Sequence, residues 1–146
     1  MKIISILALV FLGACGASDT PSGTQQHAPV RMEFRLVATE ISADKVRSST
    51  RGGELVLLER AMLFGSSEVA SAVSDVDGVD IKLNEEGTRK LAEITRSNKG
   101  RQLAIVVDGV VLVTPEIGEP IEDGRLWIGE LTGEEARRIA GGLGSK

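Results

Sequence analysis

Hydrophobic and polar residues alternate in several short stretches of the chain, a pattern typical of β-strands with one buried face. Residues 31–38 are the clearest example, because Met32, Phe34 and Leu36 alternate with charged side chains. Residues 42–53 are polar and end in two glycines, so we expect a loop there. Further strands are predicted around residues 54–61, at 78–83 and at 125–130.

A different pattern marks residues 103–113, where nine of eleven residues are apolar and only Asp108 and Gly109 interrupt the run. An Asp-Gly pair between two apolar arms predicts a β-hairpin, because a type I′ turn needs positive φ at both central residues. Pro115 ends the second arm, since proline cannot donate to a ladder of hydrogen bonds. We expect Val107 opposite Val110 and Ile105 opposite Leu112 on one face, and Ala104, Val106, Val111 and Val113 on the other.

Both faces of this hairpin are apolar, so both need to be covered. In our interpretation the helices of the domain cover one face. The other is covered either by the loop that follows Pro115, which brings Ile117 and Ile121, or by a partner. Soluble monomers seldom expose large apolar patches, so an uncovered second face would indicate a binding site.

Two helices are predicted from apolar residues spaced three and four apart and from capping residues at their N-termini. The first spans about residues 85–98, with Asn84 as its N-cap. The second spans about residues 132–142, where Thr132 and Glu135 form a capping box. Three glycines are expected to end this second helix: Gly141, Gly142 and Gly144.

A shorter helix is expected within residues 66–73, where Val69, Ala70 and Val73 have helical spacing. The following "DVDGVD", residues 75–80, lacks the spacing of a calcium loop, so it is interpreted as a turn that leads into a strand. About six strands and two main helices predict an α+β domain, with an antiparallel-rich sheet and the helices on one of its faces.

The N-terminus has the pattern of a bacterial lipoprotein signal. Residues 1–14 contain one lysine and then an apolar run that is too short to span a membrane. The run ends in "LGAC", so we expect cleavage before Cys15 and lipidation of that cysteine. Residues 15–29 are polar and rich in small side chains, as in a flexible linker, and residues 30–146 form the globular domain.

Composition excludes several kinds of function. The formal net charge of −4 argues against nucleic acid as a partner. The only cysteine is Cys15 and the only histidine, His27, lies in the linker, so nucleophilic hydrolysis and a histidine-ligated zinc site are excluded. We therefore expect no enzyme, no metal and no cofactor. The remaining enzymatic alternative is hydrolysis by a pair of carboxylates.

The globular part resembles a known family, the first periplasmic domain (P1 head) of SecD, an accessory subunit of the bacterial Sec protein-export machinery. The resemblance lies in an ordered series of motifs: "MEFRLV", "GVDIKLNEEGTRKLAEIT", "GRQLAIVVDGVV", Pro115, Ile117, Ile121, Gly124 and "IGELTGEEARRIA". It implies a SecD-like head that a lipid anchor holds in place of transmembrane helices. It also implies binding of polypeptide, without any catalytic residue.

Two functions from different classes follow. The first is a non-enzymatic, periplasm-facing lipoprotein of the bacterial envelope that binds unfolded polypeptide or Sec proteins as an accessory to export. The alternative is an envelope lipoprotein that reuses the fold for an unrelated partner. Gly16 is not the aspartate that often retains lipoproteins in the inner membrane, so the outer membrane is preferred. The residues expected to contact a peptide are Val106, Val111, Val113, Ile117 and Ile121.

Overall fold

Nine strands and two helices make up residues 27–42 and 44–144, the part of the chain that the structure, a computed structural model, describes. The predicted signal sequence, the predicted lipidation site Cys15 and most of the predicted linker lie outside these residues. The strands are β1 (Met32–Leu36), β2 (Val46–Thr50), β3 (Leu55–Leu58), β4 (Phe64–Gly65), β5 (Val69–Ser74), β6 (Val79–Leu83), β7 (Leu103–Val107), β8 (Val110–Val113) and β9 (Arg125–Ile128). The helices are α1 (Glu85–Ser97) and α2 (Gly133–Gly144).

The larger of two sheets curls until β3, at one end, meets the residues that follow β1. Its strand order is β3-β2-β8-β7-β1-β4, and the β2–β8 pair is parallel whereas the other pairs are antiparallel. Beyond the end of β1, Val37 forms a bridge with Leu58 of β3, and the amide of Ala38 donates to the carbonyl of Leu57 at 2.8 Å. Strands β1, β7, β8, β2 and β3 therefore enclose a small interior.

The hairpin turn forms as the sequence predicts. Asp108 has φ 50° and Gly109 has φ 84°, the positive values that a type I′ turn requires. Val107 lies opposite Val110, also as predicted. The Asp108 side chain accepts a bond of 3.0 Å from the amide of Arg31, so the turn is fastened to the beginning of β1.

The register beyond the first pairs differs from the prediction. Val106 lies opposite Val111, but the register then shifts, so that Ile105 lies opposite Val113 and not Leu112. Placing Val113 with Val106 and Val111 was therefore wrong, because the shift transfers Val113 to the main core beside Ile105. A bulge of this kind inserts one residue and reverses the faces that follow it.

The curled sheet itself covers the second face of the hairpin. Ala104, Val106 and Val111 are buried with Leu58 in a small cluster inside the curl, which is completed by side chains from β2 and β3 and from the end of β1. Of the two alternatives that the sequence left open, the one in which the loop after Pro115 covers this face was wrong. Residues 42–53, expected to be a loop, contain β2, whose polar residues hid its role from the sequence.

A second sheet and the two helices surround the main core. Strands β5, β6 and β9 form an antiparallel sheet in the order β5-β6-β9. Its buried side chains join those of β1 and β7 and of both helices in one apolar cluster. This confirms the α+β class and the two helices, although the strands are divided between two sheets.

The short helix expected within residues 66–73 was wrong. Only Ser66–Glu68 form a 3-10 turn, and Val69 begins strand β5. The amide of Asp75 donates to the carbonyl of Gly78 at 2.8 Å, which closes a β5–β6 hairpin. Pairing with β6 thus outweighs the helical spacing, since β-branched valines suit a strand at least as well.

Both main helices begin at the predicted caps. The side chain of Asn84 accepts from the amide of Gly87 at 2.8 Å at the start of α1. Thr132 and Glu135 form the predicted capping box, with bonds of 2.8 and 3.2 Å. The prediction that Gly141 and Gly142 end α2 was wrong, since the helix continues to Gly144.

The glycines within α2 allow the start of the domain to lie against the helix. A Cβ at Gly142 would come within 2.4 Å of Val30, and a Cβ at Gly141 within 2.6 Å of His27. The amide of Val30 also donates to the carbonyl of Gly142 at 3.3 Å. His27, which the sequence places in the linker, is accordingly half-buried against α2.

Candidate functional site

Trp127 is a large aromatic side chain on an outward position of β9. Its neighbours Leu126 and Ile128 point into the core, whereas Trp127 remains 52% exposed. The ring lies close to two glycines, because a Cβ at Gly78 would come within 2.4 Å of the indole and a Cβ at Gly129 within 3.0 Å. The side chain is thus supported by backbone on one side and open on the other.

An apolar hollow of about 360 Å³ lies beside Trp127, between the loop after β8 and strands β7 and β9. Leu103 and Ile105 of β7 contribute to its wall. Pro115, Ile117 and Ile121 line it from the loop. The hollow is therefore built from β7, β9 and the loop after β8, which meet beside Trp127.

A second hollow of about 600 Å³ is also bordered by Trp127. Leu112 and Val113 of β8 line it, and it shares Pro115 and Trp127 with the first hollow. The two hollows therefore adjoin each other. We call the pair the Trp127 groove and define it by six apolar residues: Leu112, Val113, Pro115, Ile117, Ile121 and Trp127.

Strand edges lie next to this groove. Strand β9 is at the edge of its sheet. In β8, strand β2 pairs with Val110 and Val111 only, so within the described ranges the second half of β8 has a neighbour on one side. Main-chain groups at such edges can pair with an added extended chain. The groove therefore combines apolar pockets with edges that accept a strand.

The loop that forms one wall is fixed by hydrogen bonds. The Thr95 hydroxyl accepts from the amide of Ile121 at 3.0 Å and donates to the carbonyl of Leu91 at 2.8 Å. The amide of Ile117 donates to the carbonyl of Arg101 at 2.8 Å. A wall that is ordered before binding loses little conformational entropy when a ligand enters.

The rim of the groove is mainly acidic. Glu116 and Glu119 lie at the first hollow and Glu130 at the second, all outside the core, with Arg125 as the cation among them. An apolar floor with an acidic rim suits a ligand that carries apolar side chains and some positive charge.

One carboxylate with a displaced pKa lies outside the groove. Burial raises the pKa of Glu68, but hydrogen bonds from Lys90, the Ser67 hydroxyl and the Gly65 amide outweigh burial and bring it to about 2. The Lys90 Nζ lies 2.7 Å from Glu68 Oε1. The Glu68 carboxylate is therefore ionised at neutral pH. It can form an ion pair that stabilises α1, but it carries no proton to donate.

The residues predicted to contact a peptide are only partly brought together. Val106 and Val111 are buried inside the curled sheet, so the described conformation offers no access to them. Ile117 is 5% exposed and forms the floor of the groove. Val113 and Ile121 are half-buried and line it. Binding of a peptide by these residues stays a prediction.

Sequence reasoning did not single out Trp127, Leu112 or Pro115 as site residues. A signal for Trp127 was present, because the alternation around Leu126 and Ile128 places it outward. An outward tryptophan is an informative observation, since large aromatic residues are usually buried. The position of Leu112 depends on the register shift in the hairpin, which the sequence does not reveal.

The described part of the chain offers neither a helix that could span a membrane nor a cluster of metal ligands. Neither helix within residues 27–42 and 44–144 has both the length and the apolar character to cross a membrane. In the same ranges, histidine, cysteine, aspartate and glutamate side chains nowhere form a group of three that could hold a metal ion.

The family model and the relatives with similar sequences all point to SecD proteins. The family described as "SecDF, P1 head subdomain" matches residues 40–145. Protein translocase subunit SecD of Elusimicrobium minutum is 33% identical over 71% of this chain, and that of Treponema pallidum 31% identical over 87%. The chain spans about a quarter of the length of these relatives, 23% and 24% respectively.

Solved structures show the same likeness. SecDF in a super-membrane-facing form matches 80% of this chain with a TM-score of 0.68 and 28% identity, over 19% of its own length. A membrane component SecDF that enhances protein export matches 80% of the chain with a TM-score of 0.65 and 27% identity, over 63% of its own length.

Proposed function

Because the chain belongs to the SecDF P1 head family, we propose that it is a non-enzymatic module that binds extended polypeptide during protein export. The observation that carries this proposal is the Trp127 groove, an apolar depression next to strand edges. Apolar side chains of an unfolded segment would occupy the two hollows. Its main chain would pair with a strand edge, as in other proteins that bind by adding a strand.

The chemistry of the groove fits a ligand without a fixed sequence. Main-chain pairing is common to all sequences, and a preformed apolar surface accepts many side chains. Tryptophan residues often contribute strongly to binding when a ligand removes them from water. The acidic rim would favour segments that carry lysine or arginine near an apolar residue.

The proposal includes the position of the protein in the cell. We place it in the bacterial envelope, facing the periplasm and held by an acyl group on Cys15, in agreement with "LGAC" at the end of the apolar run. Its partners would be emerging polypeptides or Sec proteins. Separation of inner and outer membranes would test the preference for the outer membrane that Gly16 suggests.

The experiment is titration of residues 27–146 with unfolded preprotein segments. Trp127 is the only tryptophan, so a change in fluorescence on titration reports on the surroundings of this one side chain. We expect a blue shift on binding, and affinity that persists at high salt because apolar contacts are not screened. By calorimetry, Trp127→Ser and Ile121→Asp should each weaken binding about tenfold or more, the loss typical of a central aromatic or apolar contact.

The matched control is Ile41→Asp, an apolar-to-acidic change at a side chain that is 86% exposed and outside the groove. This variant should bind as the parent chain does. Ile117→Asp is unsuitable, since Ile117 belongs to the core and the variant would unfold. Equal affinity of the Trp127 and Ile121 variants and the parent, or no binding to any unfolded segment, would refute the proposal.

A further inference from the structure

The outer face of the three-stranded sheet is a second exposed surface. Residues on these strands alternate between the core and solvent, and the outward side of the sheet is a shallow hollow of about 550 Å³. Val73 is 64% and Trp127 52% exposed there. The face is defined by six outward residues: Ser71, Val73, Asp80, Lys82, Arg125 and Trp127.

The register of the strands arranges these residues in two rows. Val73 lies opposite Asp80, and Asp80 lies opposite Trp127. The first row therefore contains one apolar, one acidic and one aromatic residue: Val73, Asp80 and Trp127. Two residues further along β6, Ser71, Lys82 and Arg125 form a polar and basic row. Successive outward residues of a strand are about 7 Å apart, which is the distance between the rows.

We propose that this face binds the same face of a second copy of the chain. The two copies face each other and are related by a two-fold axis that runs between the sheets, parallel to them and perpendicular to the strands. This rotation places each row opposite the other row of the second copy. Asp80 then meets Lys82 of the second copy, and Trp127 meets Arg125. The first is an ion pair and the second a cation–π contact, and a two-fold interface forms each contact twice.

The charges on this face favour a second copy of the chain over other binding partners, because the face is complementary to itself. Asp75 and Asp80 lie at one end of the hollow and Lys82 and Arg125 at the other, so the two acids and two bases balance. A partner of one uniform charge would meet repulsion at one end. A face of three short strands is small compared with a standard interface of roughly 800 Å² per partner, so we expect a weak association.

The test is cross-linking between full-length copies in the cell that produces them. One tagged copy carries Ser71→Cys and a differently tagged copy carries Val73→Cys. A short thiol-to-thiol cross-linker should join the mixed pair with a higher yield than either pair of identical copies, because positions 71 and 73 lie opposite each other. The parent chain, in which Cys15 is the only cysteine, gives the background.

Charge reversal tests the proposed contacts. Asp80→Lys in both copies, or Lys82→Asp in both, creates like-charge contacts and should lower the yield about fivefold. Asp80→Lys in one copy with Lys82→Asp in the other restores opposite charges and should restore the yield. Lys99→Asp, an exposed change just after α1, is the control and should leave it unchanged. Yields at the Cys15 background, or yields insensitive to these charges, would overturn the proposal.

Discussion

At the scale of single residues, Glu68 helps to fix the position of α1. Glu68 connects the 3-10 turn to α1, because its carboxylate accepts from the Gly65 amide at 3.0 Å and pairs with Lys90. Gly87 makes this possible, since a Cβ there would come within 2.7 Å of Glu68. A buried carboxylate is favourable only when its oxygens are satisfied, as they are here.

Acid should weaken the fold through Glu68. The pKa is about 2 in the folded protein, against an ordinary value of 4.5. A lowered carboxylate pKa contributes stability that is complete above the unfolded value and is lost as the pH falls from about 4.5 towards about 2. The difference corresponds to about 3 kcal/mol at most. Urea unfolding between pH 7 and pH 2 should show this loss.

A variant separates Glu68 from the other carboxylates. Glu68→Gln should be less stable than the parent at pH 7, and its stability should fall less steeply between pH 4.5 and pH 2. Glu86→Gln alters an exposed partner of the same lysine and should retain the slope of the parent. An unchanged slope in Glu68→Gln would contradict the assignment.

At the scale of elements, the β7–β8 turn holds three parts of the molecule together. Partial burial raises the pKa of Asp108, but the Arg31 amide and Arg138 lower it below its ordinary value. Arg138 of α2 lies 2.8 Å from the Asp108 carboxylate. The turn thus joins the hairpin to the beginning of β1 and to the second helix.

Two glycines provide a matched test of this turn. A Cβ added at Gly109 or at Gly118 would meet no other part of the described chain within 4 Å, but only Gly109 has a positive φ, 84°. Gly109→Ala should lower the free energy of unfolding by about 1–2 kcal/mol. Gly118→Ala should leave it unchanged or raise it slightly. Denaturant titration measures both, and equal effects would refute the role of backbone conformation.

Turns and helix caps could be predicted from the sequence, because neighbouring residues determine them. Strands whose position depends on pairing with a distant segment could not. The Asp108-Gly109 turn and the cap at Asn84 follow from side chains within a few residues. Strand β2 has few apolar residues, so its place beside β8 depends on a parallel pairing with a distant segment. The Trp127 groove could not be predicted either, since β8 and β9 belong to different sheets and come together only in the tertiary fold.

At the scale of the whole molecule, the proposed anchor at Cys15 determines where the domain can act. Cys15→Ser should release the protein from membranes, because without acyl chains no other proposed attachment remains. Sedimentation of the envelope fraction followed by immunodetection would measure this, and mass spectrometry of the native N-terminus would identify the modification. Ser18→Ala, a change three residues further on, is the control and should remain with the membrane. Membrane association of Cys15→Ser equal to that of the parent would contradict the anchor.

The attachment of β1 to the Asp108 turn has a consequence for the direction in which the domain works. The chain enters the fold at that end of β7, whereas Leu103 and the Trp127 groove lie at the other end, about 15 Å away along the strand. Under the proposed anchorage at Cys15, the groove therefore lies at the end of the domain remote from its attachment. An emerging segment would reach the groove only about one strand length beyond that attachment.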